Sequence, residues 1–356
     1  MTAPTAPAPI ATSAFDYELP AERVAQEPVA PRDASRLLEV SADGRLGDHR
    51  FSDLAGLLRA GDVCVVNDTR VRRARLRGVR EDGGSAELLV VDRLSPSRYA
   101  CLVRPARRLR PGTSVRIGGA LTAVVRDPAP GHPGARLVDM SAGDEDVEAA
   151  IARLGEVPLP PYIHTRLADP ERYQTVYARG AGESAASPTA GLHFTESLLA
   201  TLRSANVTIA AVKLGIGIAT FVPIRTDDIS AHAMHAERYE ITPSAAEAIN
   251  AARAAGGRVI AVGTTVVRAL ESCARDDGAV TPAAGSTRLF IAPGHRFRCV
   301  DALLTNFHQP RSTLLVLLSA FIGMERRSHA YAHALAAGYR FLSFGDCMLC
   351  WSPDAL

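Results

Sequence analysis

The segment Ala302-Leu-Leu-Thr-Asn-Phe-His-Gln-Pro-Arg-Ser-Thr-Leu-Leu-Val-Leu-Leu-Ser-Ala-Phe-Ile-Gly323 decides the fold class of this chain. Ala302 to Leu304 reads as the end of a buried strand, and Leu314 to Gly323 reads as a buried helix. Short apolar runs bounded by polar turn residues have this character when they are covered on all sides. Between them Asn306, His308, Arg311, Ser312 and Thr313 gather in one loop. A strand-to-helix loop rich in polar groups is where α/β proteins place their chemistry, because the sheet fixes the loop ends while their side chains stay accessible. The apolar run is too short to cross a bilayer, which takes roughly 20 residues, so no membrane segment is expected.

The same alternation extends outward. Helix patterns at Glu145–Leu154, Thr195–Ser204, Pro243–Ala255, Thr265–Arg275 and Ser328–Ala336 alternate with apolar strand runs at Val207–Leu214, Arg258–Val262 and Arg288–Ile291. That order predicts an α/β layer with substantial parallel pairing. Thr195 before Glu196 is a helix N-cap, and Pro243-Ser244 with Glu247 reads as a capping box. From Gly61 to Ser141 the character differs. Short strand candidates at Val63–Val66, Ala86–Val91, Tyr99–Val103, Ser114–Ile117, Leu121–Val125 and Ala135–Val138 are broken by Gly, Pro and Asp. This pattern predicts an antiparallel sheet or small barrel. The expected organisation is therefore a mixed α/β sheet with flanking helices, interrupted by an inserted antiparallel barrel-like domain. The expected bounds are a disordered tail over 1–14, the α/β domain over 15–60 and 145–356, and the all-β insert over 61–144.

Composition agrees with a globular protein of two cores: 356 residues, 47% hydrophobic and 22% charged, with a formal net charge of +2. That charge marks no general polyanion binder, but arginines cluster at Arg70, Arg72, Arg73, Arg75, Arg77 and Arg80, and again at Arg104, Arg107, Arg108 and Arg110. Such runs suit phosphates, although a solvated arginine-rich surface reads the same way. Residues Met1 to Ala14 lack the charged start and apolar core of a signal peptide. Six scattered cysteines suit reduced thiols in a cytoplasmic protein, and the Cys347/Cys350 pair reads as two side chains of a core strand.

Three further clusters resemble the first: Pro188–Thr195 (PTAGLHFT), His232–Tyr239 (HAMHAERY) and Val262–Ser272 (VGTTVVRALES). With Arg32–Leu38 (RDASRLL), Asn67–Leu76 (NDTRVRRARL) and Tyr339–Leu349 (YRFLSFGDCML), the chain resembles the S-adenosylmethionine:tRNA ribosyltransferase-isomerases of queuosine biosynthesis from about Phe15 to Leu349. The resemblance implies an α/β domain with an inserted β-barrel. It also implies transfer and isomerisation of the ribosyl group of S-adenosylmethionine onto the aminomethyl group of a 7-deazaguanine base in the anticodon region of tRNA, releasing adenine and methionine. S-adenosylmethionine is then a co-substrate, no metal or redox centre is required, and a cytoplasmic monomer is expected.

This chemistry calls for a base to take the 5′ proton acidified by the sulfonium, a donor to help adenine leave, and preorganised hydrogen bonds around developing charge. The expected catalytic residues are His235, Glu237, His193 and His308. Expected contacts to the co-substrate are Thr189, Gly191, Gly263, Thr264, Thr265, Arg268 and Asn306, with helix starts offering free N–H groups to a carboxylate. Expected contacts to the RNA are Arg36, Asp68, Arg70, Tyr173, Gln174 and Asp346, the tyrosine by stacking or hydrogen bonding a base. Each has a plainer reading. His193 suits a turn bonded to backbone, Glu271 an i,i+3 partner of Arg268, Asp346 an ordinary turn, and His232 with His235 a surface pair. His232, His235 and Glu237 are also ligand types for zinc, but their spacing matches no zinc motif.

Two segments depart from the family pattern. Gly215-Ile-Gly-Ile-Ala-Thr-Phe221 carries Gly215 and Ala219 where relatives have His and Gly, and Gly182–Thr189 reads GESAASPT. The loss of an imidazole motivates one alternative, a diverged member using another amine acceptor, and the arginine runs around Arg70 and Arg107 motivate another, an inactive RNA-binding relative.

Overall fold

The computed structural model describes residues 10–215, 217, 223–234 and 236–354, with backbone alone at 181 and 183. The chain divides into two compact units: residues up to 69 with 160–179 and 187–356, and residues 70–159 with 180–186.

The first unit is built on a nine-stranded sheet. Its strands are β1 (Arg36–Val40), β2 (Leu46–Arg50), β3 (Val63–Asn67), β12 (Thr208–Leu214), β13 (Glu237–Ile241), β14 (Val259–Val262), β15 (Ala283–Thr287), β16 (Ala302–Asn306) and β17 (Cys347–Trp351). They run in the order β15-β13-β12-β3-β14-β16-β17-β1-β2. The central four, β12, β3, β14 and β16, are mutually parallel. Residues of β3 alternate between two cores, with Val63 and Val65 in one and Cys64 and Val66 in the other. Both faces are therefore covered, which is why these strands read as unbroken apolar runs. Helices α4 (Pro243–Ala254), α5 (Thr264–Cys273), α6 (Thr313–Ile322) and α7 (Met324–Ala336) contribute to the first core, and α1 (Leu54–Leu57) and α3 (Glu196–Ser204) to the second.

In the second unit β5 (Arg75–Arg80), β6 (Ser85–Arg93), β7 (Arg98–Arg104), β8 (Ser114–Ile117), β9 (Leu121–Pro128) and β10 (Arg136–Ser141) close into a barrel. Every pair described in it is antiparallel. Its interior holds Leu76, Leu88, Val90, Cys101, Val115, Leu121, Val125 and Val138, joined by Ala150 and Ile151 of α2 (Val147–Leu154). Asp146 caps α2 by accepting the Ala149 amide. Two short strands, β4 (Thr69–Val71) and β11 (Arg179–Ser184), complete the set. Among the described residues no helix is long and apolar enough to cross a membrane.

Several expected elements shift. Val63–Val66 reads as a strand of the insert, but β3 pairs with β12 and β14 in the large sheet. Val66 and Val63 find apolar cover on both faces there, which an isolated sequence window cannot reveal. Within the stretch expected as a tail, Thr12–Phe15 forms a 3-10 turn whose Phe15 is fully buried. Arg288–Ile291 is irregular and the strand lies upstream at β15; the Leu289 carbonyl accepts from Arg268 Nε instead of a sheet neighbour. Helix α7 begins four residues before Ser328, directly after Gly323, whose φ of +89° breaks α6. The cap of α4 is Thr242, which accepts the Ala245 amide and lies ahead of the capping box expected at Ser244. Cys347 and Cys350 do lie buried on β17.

One ion pair fastens the amino end of this sheet. Asp62, wholly buried, accepts from the amides of Arg59 at 2.9 Å and Arg258 at 3.0 Å, and from the Arg258 guanidinium at 2.6 Å. Burial alone would raise the Asp62 pKa, but the Arg258 hydrogen bonds prevail and lower it below the ordinary value of 3.8. Asp62→Ala should destabilise this unit by roughly 3 kcal/mol, since it leaves Arg258 and two amides without their acceptor. Because the folded pKa is depressed, the wild-type advantage is complete at neutral pH and shrinks as pH falls below about 4. Urea unfolding of both proteins at pH 7 and pH 3 measures it; equal midpoints at pH 7 would refute it.

Candidate active site

Four parallel strands present their carboxyl ends at one edge, and each is followed there by a special residue. Gly215 follows β12, Asp68 follows β3, Gly263 follows β14 and Phe307 follows β16. Gly263 turns directly from strand into α5 with φ of +97°, a conformation that L side chains rarely adopt. The first amides of α5 have no acceptor within their own helix and point out of this edge. Ser312 ends the loop after β16 by capping α6, its Oγ accepting from the Leu315 amide at 3.2 Å.

A cavity opens here. Thr189, Gly263, Thr264, Thr265, Asn306 and His308 line it, with Tyr162, Ser187, Thr305, Gln309, Ser312, Leu342 and Ser343. Three of the four sequence clusters, separated by up to about a hundred residues, thus meet in one place. Thr189 Oγ1 donates to Asn306 Oδ1 at 2.8 Å, leaving Asn306 Nδ2 to donate to the Leu342 carbonyl at 3.2 Å. His308 is fixed by its Nε2 against Thr305 Oγ1 at 3.0 Å, and its backbone N–H donates to Tyr331 Oη at 2.9 Å. Burial drives the His308 pKa down to about 3, so the ring is neutral near pH 7. Tyr162 Oη shares a 2.7 Å hydrogen bond with Ser343 Oγ, and burial pushes its pKa up to about 12. The titratable groups lining the cavity are therefore uncharged, and polarity comes from hydroxyls, amides and a helix N-terminus.

Other expected residues lie elsewhere. His193 is buried, with Nδ1 at 3.1 Å from the Ala190 carbonyl and Nε2 at 2.9 Å from the Gly345 carbonyl, and it stacks on Phe51. Burial lowers its pKa, and both ring nitrogens face backbone carbonyls. Gly191 is small for packing and not for a ligand, because a Cβ there would overlap Tyr177 Oη. Glu237 and Arg268 are each other's partners in a buried ion pair, with Arg268 also donating to the Leu289 carbonyl. The structure thus places these two expected site residues in a pair with each other, away from the residues that line the cavity. Glu271 does not reach Arg268; it accepts from the amides of Arg298 and Cys299 at 3.0 and 3.2 Å.

Arg36 lies over the Tyr339 ring and pairs with Asp48 at 3.1 Å. Asp346 is a buried turn carboxylate accepting the amides of Arg36 and Arg340. Tyr173 is fully buried against Phe344, which leaves no face for stacking a base, and Gln174 is buried beside it. Arg70 belongs to the barrel unit. Asp68 stands at the same sheet edge as the cavity, buried, with Oδ1 lacking a hydrogen bond and its pKa raised by burial against the pull of Lys213 and Arg179. His235 and Ala219 lie outside the described residues.

The family model described as queuosine biosynthesis protein matches residues 12–350. The chain belongs to the queuosine biosynthesis protein family. A member from Moorella thermoacetica named S-adenosylmethionine:tRNA ribosyltransferase-isomerase is 52% identical over 338 residues, covering 94% of this chain and 98% of that protein. One of the same name from Anaeromyxobacter is 51% identical, covering 96% and 99%. The crystal structure of S-adenosylmethionine tRNA ribosyltransferase from Thermotoga maritima is 35% identical with a TM-score of 0.54, covering 95% of this chain and all of that one.

Tyr162 and Ser343 of this family member were missed by sequence reasoning. Ser343 sits inside the quoted motif YRFLSFGDCML, where the charged Asp346 drew attention instead. Tyr162, in PPYIH, had no signal of its own; its hydrogen bond to the distant Ser343 is seen only in the folded chain.

The packing account of Gly191 is testable. Gly191→Ala should lower stability by about 1–3 kcal/mol through overpacking, and adding Tyr177→Phe, which removes the overlapped hydroxyl, should recover part of that loss. Thermal melts of the single and double variants decide; no recovery would show that Tyr177 is not the limiting contact.

Proposed function

We propose that this chain transfers and isomerises the ribosyl moiety of S-adenosylmethionine onto the 7-aminomethyl group of 7-deazaguanine in the anticodon of tRNA, giving epoxyqueuosine and releasing adenine and methionine. It acts as a cytoplasmic monomer. The observation that carries the reading is the meeting of Thr189, Gly263–Thr265, Asn306 and His308 in one cavity at the carboxyl ends of β14 and β16. Relatives near half identity over the whole chain bear the corresponding name, which favours the transferase over a changed acceptor or an inactive binder.

In this reading the amides of Thr264 and Thr265 at the start of α5 receive the methionine carboxylate, where the helix dipole favours negative charge. The Thr189–Asn306 pair, already joined, offers a preorganised polar wall to the ribose. Preorganisation matters because groups that need not reorient stabilise developing charge at no further cost. His308, neutral and held by Thr305, supplies a hydrogen bond; a ring so hard to protonate is a poor proton acceptor. The base for the 5′ proton is then His235, whose role rests on the sequence reading. Glu237 acts indirectly by holding Arg268.

Adenine release from S-adenosylmethionine, with tRNA bearing 7-aminomethyl-7-deazaguanine at the wobble position and mass analysis of its nucleosides, tests the reading. Adenine release with epoxyqueuosine is expected; a folded protein yielding neither would sink it. Because His308 titrates far below the working range, His308→Gln should lower kcat/KM without moving any limb of its profile between pH 6 and 8. A limb that vanishes in the variant would show that His308 itself exchanges the proton.

A further inference from the structure

A second, smaller cavity shares the wall of the first through Ser343, and three guanidinium groups line it, those of Arg32, Arg172 and Arg340. Each donates to neutral backbone carbonyls. Arg32 reaches Leu192 at 3.1 Å and Glu171 at 2.9 Å; Arg172 reaches Val29; Arg340 reaches Glu27 at 3.1 Å and Phe344 at 2.9 Å. Among the described residues none of the three lies within 4.0 Å of a carboxylate, and Arg172 Nε is buried with no hydrogen-bond partner. Burial, then the charge of Arg172, lowers the Arg32 pKa, against the charges of Asp169 and Glu171, which raise it.

The contrast with the arginine run of the barrel unit is informative. There Arg72 pairs with Glu148 at 2.5 Å, Arg77 with Glu156 at 3.3 Å and Arg80 with Asp82 at 2.9 Å. Those charges are already neutralised. Like charges gathered in a half-buried pocket repel unless an anion joins them, and carbonyl dipoles only orient the forks. Guanidinium forks match the paired oxygens of a phosphodiester, and three of them in one pocket suit a polyanionic chain.

We propose that the pocket of Arg32, Arg172 and Arg340 holds a backbone phosphate of the RNA substrate, beside the nucleotide whose base enters the cavity across Ser343. This rests on the transferase reading above. The serine wall sets the register: base on one side, flanking phosphate on the other. The arrangement positions the RNA and takes no part in bond making.

The test uses the full chain with an anticodon stem-loop RNA and four proteins: wild type, Arg172→Gln, Arg340→Gln and Arg172→Lys. Each Gln variant should weaken RNA binding about tenfold and reduce the slope of log K against log salt by about 0.7 to 0.9, one phosphate contact. Arg172→Lys should keep the wild-type slope with part of the affinity lost, since charge remains but the fork is gone. The KM for S-adenosylmethionine should stay unchanged. Inorganic phosphate at constant ionic strength should compete with RNA on wild type and less on the Gln variants. Unchanged affinity and slope in folded Gln variants would overturn the proposal. A rise confined to the KM for S-adenosylmethionine would also overturn it, assigning the pocket to the methionine carboxylate. Phosphate binding that leaves RNA affinity untouched would make it a free-anion site and overturn it too. If the Gln variants do not fold, the Lys variant and phosphate competition decide. Absence of adenine release by wild type would sink the transferase reading, whereas normal turnover with indifferent arginine variants would sink only this one.

Discussion

The pairing of β3 between β12 and β14 is the constraint on which the site depends. β3 reaches its partners across about 145 and 195 residues of chain, and side chains fasten both of its ends. At the amino end Asp62 collects the amides of Arg59 and Arg258 and the Arg258 guanidinium. At the carboxyl end Asn67 Oδ1 accepts the amides of Thr69 and Leu214 at 3.1 Å, while its Nδ2 donates to the Leu214 carbonyl at 2.9 Å. A slip of one residue would break both clamps and turn each buried side chain to the opposite core. With register fixed, the carboxyl ends align and Asp68, Gly263 and the loop after β16 stand at one edge.

That alignment explains the chemical character of the cavity. It is ringed by hydroxyls, amides and neutral side chains, and apart from Asp68 several charged groups of the clusters are engaged in the scaffold. Arg268 and Glu237 neutralise each other, Glu271 holds the segment at Arg298 and Cys299, and Asp346 holds the turns at Arg36 and Arg340. One wall away, Arg32, Arg172 and Arg340 line the second cavity, and among the described residues none of the three forms an ion pair. The two cavities thus differ in the charge they can accept, while Ser343 joins them.

The barrel unit presents a different physical solution. Six short strands cannot bury both faces, so closure removes the edges and leaves one interior, and the alternation of Leu121, Ala123 and Val125 with exposed partners on β9 shows the period of two. This alternation made the barrel legible. Its first expected strand was misplaced because Val63–Val66 is apolar at every position, which is the mark of a strand covered on both sides; that signal was present and points to the large sheet.

The sequence by itself determined the classes of element, the α/β alternation, the barrel, the buried cysteine strand, and the clusters that carry the family pattern. Local signals sufficed because periodicity, caps at Thr195 and Ser312, and Gly263 act over a few residues. Only the tertiary structure decided which polar residues line the cavity and which are tied into the scaffold. His193, Glu237, Arg268 and Asp346 look like His308 and Asn306 in a sequence, since polarity and a loop position are all that a window shows. Their partners come from distant segments: Gly345 for His193, Glu237 for Arg268, Arg340 for Asp346. Whether a polar group is satisfied within the protein or left for a substrate is a property of long-range contacts, and those exist only once the sheet has closed its register.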